Sequence, residues 1–137
     1  GDEGAKALAE SEQLTRLRYL SLYTNRIGDE GAVALANSKT LSKLETLDLS
    51  FNRIGDRGAE ALANSKHLKK LKELHLDANR IGLRGMQALA KLSGLQNLQI
   101  LNLSYNRIDL QGLELLNDSK RLQEMSAVKT DYPHIGG

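Results

Sequence analysis

The sequence predicts an α/β repeat solenoid, with a parallel sheet lining its concave side and helices on the convex side. Three observations predict it. Asparagines stand at 25, 52, 79 and 106, one every 27 residues, and the leucines and isoleucines around them keep the same step. The first half of each period alternates apolar and polar residues, as a strand with one buried face does. The second half opens on a glycine-bounded turn and continues in strong helix formers. A fixed period of this length marks an array whose units bury their apolar faces against one another, not alone.

The 137 residues read as one domain in three parts. Residues 1–13 form a helical half-repeat, since Gly1-Asp2-Glu3-Gly4-Ala5 matches the turn and helix of a unit whose strand is absent. Residues 14–124 hold four 27-residue repeats. In the first, LRYLSLYTN is the strand, with Leu20 and Leu22 inward. Gly28-Asp29-Glu30-Gly31 is the turn, and Asp29, like Asp56 in the next unit, is expected to cap its own helix. Leu83 and Leu110 replace that aspartate later, so those helix starts should be looser or capped from elsewhere. Gly31, Gly58, Gly85 and Gly112 recur in the first helical turn, where glycine costs about 1 kcal/mol against alanine. Repeating that cost implies close backbone approach. The side-chain amides of Asn25, Asn52, Asn79 and Asn106 both donate and accept, so they can satisfy turn backbone in their own and the adjacent unit. The column reads as a structural ladder. Residues 125–137 read as a degenerate terminal strand, with Met125, Val128, Thr130 and Ile135 in the apolar columns and Pro133 in place of the ladder asparagine.

The pattern L-x-x-L-x-L-x-x-N-x-I, at Leu17–Ile27, Leu44–Ile54, Leu71–Ile81 and Leu98–Ile108, resembles the leucine-rich repeat. The G-D-E-G-A-x-A-L-A that follows resembles the helical half of the ribonuclease-inhibitor-like class. Intracellular sensor proteins, Ran GTPase activators and effectors of intracellular bacteria share that class, and the GAxALA run is most similar to the bacterial members. The resemblance implies a protein delivered by a bacterium into a host cell, or one that restrains another effector. Ribonuclease inhibition does not carry over, because the inhibitor's repeats alternate in length and are cysteine-rich.

Composition narrows the partners. The chain has no cysteine, which excludes a disulfide framework and a thiolate metal site and fits an intracellular, cytoplasmic setting. A net charge of +2, with both signs interspersed, announces neither nucleic acid nor an anionic membrane. No cofactor and no metal are expected, and the free chain is expected to be a monomer.

With the leucines inward, the third, fifth, seventh and eighth positions of each strand segment face the open side. All five aromatic residues, Tyr19, Tyr23, Phe51, Tyr105 and Tyr132, fall there. Large rings on an open surface supply contact area at low entropic cost. Around them the same face carries Ser21, Thr46, Asp48, Ser50, Glu73, His75, Asp77, Ile100 and Asn102, with an acidic middle in which Asp48 and Asp77 are expected to flank His75. These residues form the predicted binding face for another protein, one with a basic surface. The bland reading is that the rings only cover the sheet edge and each other.

The same residues also have the makings of sharper chemistry. Ser50, His75 and Asp77 have the composition of nucleophile, base and orienter, but an open sheet offers no oxyanion pocket. Asp48, His75 and Asp77 lack a fourth metal ligand. The sequence therefore predicts a non-catalytic interaction module and no enzyme. Two alternatives stay open, a GTPase activator and a self-assembling structural module. Arg26, Arg53, Arg80 and Arg107 form a column of like charge, read as a solvated ladder partly paired with Asp29 and Asp56.

Overall fold

The computed structural model describes residues 1–131; the expectations for Tyr132, Pro133 and Ile135 lie outside the described residues. Strands and helices alternate along the chain. Five strands, β1 (Tyr19–Ser21), β2 (Thr46–Asp48), β3 (Glu73–His75), β4 (Ile100–Asn102) and β5 (Ala127–Lys129), form one parallel sheet in sequence order. Register follows the period without a slip, Leu20 beside Leu47, Leu74 and Leu101, then Val128. Helices α1 (Asp2–Glu10), α2 (Asp29–Ala36), α3 (Asp56–Ala63), α4 (Leu83–Lys91) and α5 (Leu110–Asn117) line the other side. A short α6 (Lys120–Gln123), capped by Ser119 Oγ, precedes β5 and was not anticipated.

The core lies between the two layers. Leu47, Leu49, Leu74, Leu76, Leu101 and Leu103 point from the strands, and Leu35, Leu62, Leu89 and Leu116 meet them from the helices, all fully buried. At the first unit Leu14, Leu17, Leu20 and Leu22 are only partly buried, because among the described residues no strand packs beyond β1. Burial of this kind contributes about 25 cal/mol per Å² of apolar surface, so the inner units hold the array together.

The asparagines hold the turns between units. Asn79 Nδ2 donates to the carbonyls of Leu76 and Asp77 in its own unit and of Leu49 in the unit before. Its Oδ1 accepts from the Ile54 amide at 2.9 Å. Asn52 and Asn106 repeat the arrangement. Asn25 departs from it. With no strand before β1, its amide makes one bond, to the Tyr23 carbonyl of its own turn, and stays exposed.

Helix capping differs from expectation. Asp29 does not cap its own helix; its Oδ1 accepts from the amides of Gly55 and Gly58, which open α3 in the next unit. Asp2 serves α2 and Asp56 serves α4 in the same way. Standing at the first helical position, the aspartate side chain leans toward the helix N-terminus and across to its neighbour. The start of α4, at Leu83, is thus capped from elsewhere. At α5 no aspartate reaches forward, since Leu83 holds that place, and Asp109 replaces the usual glycine and caps the helix from its own N-cap at 2.8 Å.

That geometry explains the glycine column. A Cβ on Gly31, Gly58 or Gly85 would come within 2.9 Å of the capping carboxylate oxygen and within 2.8 Å of its own unit's isoleucine methyl. At Gly112 the nearest atoms are 3.4 Å away, so the close approach predicted for all four holds for three.

A serine ladder, not foreseen, ties the helix ends together. Ser38, Ser65 and Ser119 are buried, and each hydroxyl donates to a carbonyl one unit back, Ala9, Ala36 and Ala90. Each also accepts an amide three residues on. In the third unit Leu92 replaces the serine. There the chain turns left-handed at Leu92 (φ 42°), and the Gly94 amide takes over the Ala63 carbonyl at 2.9 Å. Only glycine fits, because a Cβ at 94 would overlap the Ser65 carbonyl oxygen.

Candidate functional site

Parallel pairing lays the open face out in rows. Tyr19, Thr46, Glu73 and Ile100 form one row across β1–β4, and Ser21, Asp48, His75 and Asn102 the next. Tyr23, Ser50, Asp77 and Ser104 follow at the strand ends, then Thr24, Phe51, Ala78 and Tyr105. The sheet is thus a regular grid whose columns are the units, and the sequence decides what each node presents.

Four rings stand out of this grid. Tyr19, Tyr23, Phe51 and Tyr105 are 61%, 55%, 51% and 71% exposed, whereas Leu49 and Leu103, two residues before Phe51 and Tyr105, are fully buried. Tyr23 and Phe51 meet edge to face at 5.4 Å and 65°. Phe51 therefore packs on the unit before it, while Ala78 separates it from Tyr105.

The last row is left-handed. Thr24, Phe51, Ala78 and Tyr105 have φ of 56°, 58°, 55° and 58°. The turn requires it, because the Phe51 amide must donate to the Asp77 carbonyl, and the Thr24 and Ala78 amides to their equivalents. Glycine adopts such φ freely, whereas a bulky L-residue there costs about 1–2 kcal/mol. The Tyr105 amide, at the same turn, is held by the Asp131 carboxylate at 2.9 Å. A phenylalanine and a tyrosine thus stand where the backbone favours glycine, with half or more of each residue exposed.

The acidic middle is organised differently from its expected form. Asp48 lies beside His75 across the sheet, but its Oδ1 accepts the Ser50 amide at 2.9 Å. Asp77 Oδ1 accepts the Ser50 hydroxyl at 2.6 Å. His75 is instead paired with Glu73, Nε2 to Oε2 at 3.4 Å, two residues back on β3. Ser50 is buried at 6% exposure, its amide held by Asp48 and its hydroxyl by Asp77. The Ser50 hydroxyl turned to Asp77 also means that no nucleophile–histidine bond exists. Among the described residues no three His, Asp or Glu side chains converge as a metal-ligand set. The carboxylates of Asp48, Glu73 and Asp77 remain half-buried and open above, an anionic floor beside the rings.

The arginine column also differs. Arg26, Arg53, Arg80 and Arg107 are all exposed. Asp29 and Asp56 give their carboxylates to glycine amides, and among the described residues none of the four arginines forms an ion pair.

The leucine-rich repeat family matches at residues 13–36, 40–63, 67–90 and 94–116, more than half of the chain. The chain is a leucine-rich repeat protein. No curated protein matches it. Among solved structures it is similar to leiomodin-1 actin-binding site 2, with a TM-score of 0.69 at 18% identity over 96% of this chain and 79% of that one. The tropomodulin C-terminal domain of Caenorhabditis elegans superposes with a TM-score of 0.70 at 14% identity, over 98% of this chain and 85% of that one. At such identity the likeness is one of fold. An internalin of Listeria monocytogenes is 20% identical, with a TM-score of 0.32, over 93% of this chain and 50% of that one, and carries no argument. Among the described residues no helix of this leucine-rich repeat protein is long and apolar enough to cross a membrane.

Proposed function

We propose that this leucine-rich repeat protein is a non-catalytic module that binds another protein on its concave sheet. Tyr19, Tyr23, Phe51 and Tyr105 are the anchors, and Asp48, Glu73 and Asp77 receive basic side chains of the partner. One observation carries the reading: Phe51 and Tyr105 hold exposed rings at left-handed turn positions, at a cost to the fold. Rigid aromatic rings beside charged groups are what interface hot spots are made of. Ser21, Thr46, Ile100 and Asn102 fill the same rows and set the shape around the anchors. That a domain of this fold is named as an actin-binding site in leiomodin-1 supports protein binding as the use of such a surface. The partner's cell, and delivery by a bacterium, rest on the GAxALA resemblance alone.

Affinity capture from a cell lysate tests the reading, with the parent chain beside a Tyr23→Ala, Phe51→Ala, Tyr105→Ala variant. The variant is expected to lose a partner that the parent holds. Equal retention by both would reject the concave face. Stimulated GTP hydrolysis would favour the GTPase-activator alternative, and sedimentation that rises with concentration the self-assembling one.

A further inference from the structure

Nine positions of the 27-residue unit carry the same residue in all four full units. Six of them, the columns beginning at Leu14, Leu17, Leu20, Leu22, Ile27 and Leu35, lie in or against the core. The asparagine column spans the units, and the Gly31 column sits where a Cβ would meet neighbouring atoms, closely in three of the four. Each of these eight has a reason inside the molecule. The ninth is the arginine column, and it has none: its side chains are exposed and form no ion pair among the described residues. Other exposed columns have diverged, as in Glu30, Arg57, Arg84 and Gln111, or Thr15, Ser42, Lys69 and Gln96. An exposed column that stays uniform while its neighbours vary points to a contact outside the chain.

The spacing selects the occupant. The Arg53, Arg80 and Arg107 amides each donate to an isoleucine carbonyl one unit back, so the row is stacked at the strand spacing, about 4.8 Å per step and about 14 Å in all. An α-helix lying along the row offers side chains at i, i+4, i+7 and i+11 over three turns of about 5.4 Å, roughly 16 Å. The flexible arginine stems take up that difference. An extended chain presents one face every 6.7 Å or so and runs about 20 Å over three steps, losing register at every step. The floor beside the row holds Asp48 and Asp77, five residues before Arg53 and three before Arg80, which oppose a continuous phosphate chain but leave room for discrete carboxylates.

We propose that Arg26, Arg53, Arg80 and Arg107 form a docking rim for a helix of a partner protein carrying one acidic residue per turn. The rim is separate from the concave-face reading and stands or falls without it.

Fluorescence anisotropy at low ionic strength tests the rim with a labelled helical peptide bearing one glutamate per turn on a single face. A second peptide carries the same glutamates spread around the helix, and a third probe is a short single-stranded DNA. The face-matched helix is expected to bind several-fold more tightly than the scrambled one. Each Arg→Gln change should weaken it roughly threefold, so Arg53→Gln with Arg80→Gln weakens it about tenfold. Lys91→Gln, at the end of α4 in the helix layer, should leave it unchanged. No binding of the matched helix, equal binding of the scrambled one, indifference to the arginine changes, or tighter binding of the DNA would each overturn the proposal.

Discussion

Asp29 caps the helix of the unit after its own: its Oδ1 lies 2.9 Å from the Gly58 amide and 2.8 Å from that of Gly55. The starts of α2, α3 and α4 are stabilised in this way, each by a carboxylate that also favours the positive end of the helix dipole. Stacking and capping are one interaction here.

Removing a forward cap is therefore expected to weaken the joint between two units. Asp56→Ala should cost about 1–2 kcal/mol in urea denaturation, since two amides at the start of α4 lose their acceptor. Asp109→Gly should cost a similar amount at α5, and adding Leu83→Asp to it should restore stability by re-creating the reach across units. A double variant no better than Asp109→Gly would contradict the capping scheme.

The glycine column separates two otherwise similar substitutions. Gly58→Ala brings a methyl within 2.9 Å of Asp29 Oδ1, Ala32 Cβ and the Ile54 methyl, and overpacking of that kind costs about 1–3 kcal/mol. Gly112→Ala meets only ordinary contacts and gains helix propensity, up to about 1 kcal/mol. Thermal melts of the two variants should move in opposite directions.

Asn79→Ala leaves the Ile54 amide without its acceptor in a buried turn and takes one of two donors from each of the carbonyls of Leu49, Leu76 and Asp77. A loss of about 1–3 kcal/mol is expected, on the scale of one unmet buried amide. Asn25→Ala, at an exposed turn with one bond, should change stability by less than about 0.5 kcal/mol. Denaturant titration of the pair reads the difference.

Gly94 substitutes for a missing serine, so its tolerance is narrow. Gly94→Ala forces the Ser65 backbone to move and is expected to lower stability by about 1–3 kcal/mol, whereas Ala90→Gly nearby should cost only about 1 kcal/mol. Equal effects in a melt would remove the role assigned to Gly94.

The period made the fold legible, because Leu20, Leu47, Leu74 and Leu101 can recur at one spacing only if they stack. The direction in which side chains reach was not legible. Asp29 is as near in sequence to its own helix as Asp109 is to α5, and only the packing of units shows that one reaches forward and the other does not. Ser38, Ser65 and Ser119 carried a columnar signal, broken by Leu92 and answered by Gly94 two residues on. On the open face the strand alternation placed the rings outside, but nothing in it foretold that Ser50 turns inward to Asp77 or that Phe51 and Tyr105 are left-handed. Those are properties of the turn that closes each strand.

The equilibrium unfolding free energy of Tyr105→Gly tests most directly whether the rings serve a partner and not the fold. Tyr105 is 71% exposed at φ 58°, so glycine relieves backbone strain while removing little buried surface. Stability is expected to stay level or rise by up to about 1 kcal/mol. A loss of more than about 1.5 kcal/mol would mean that the ring holds the sheet edge together, and would contradict the account.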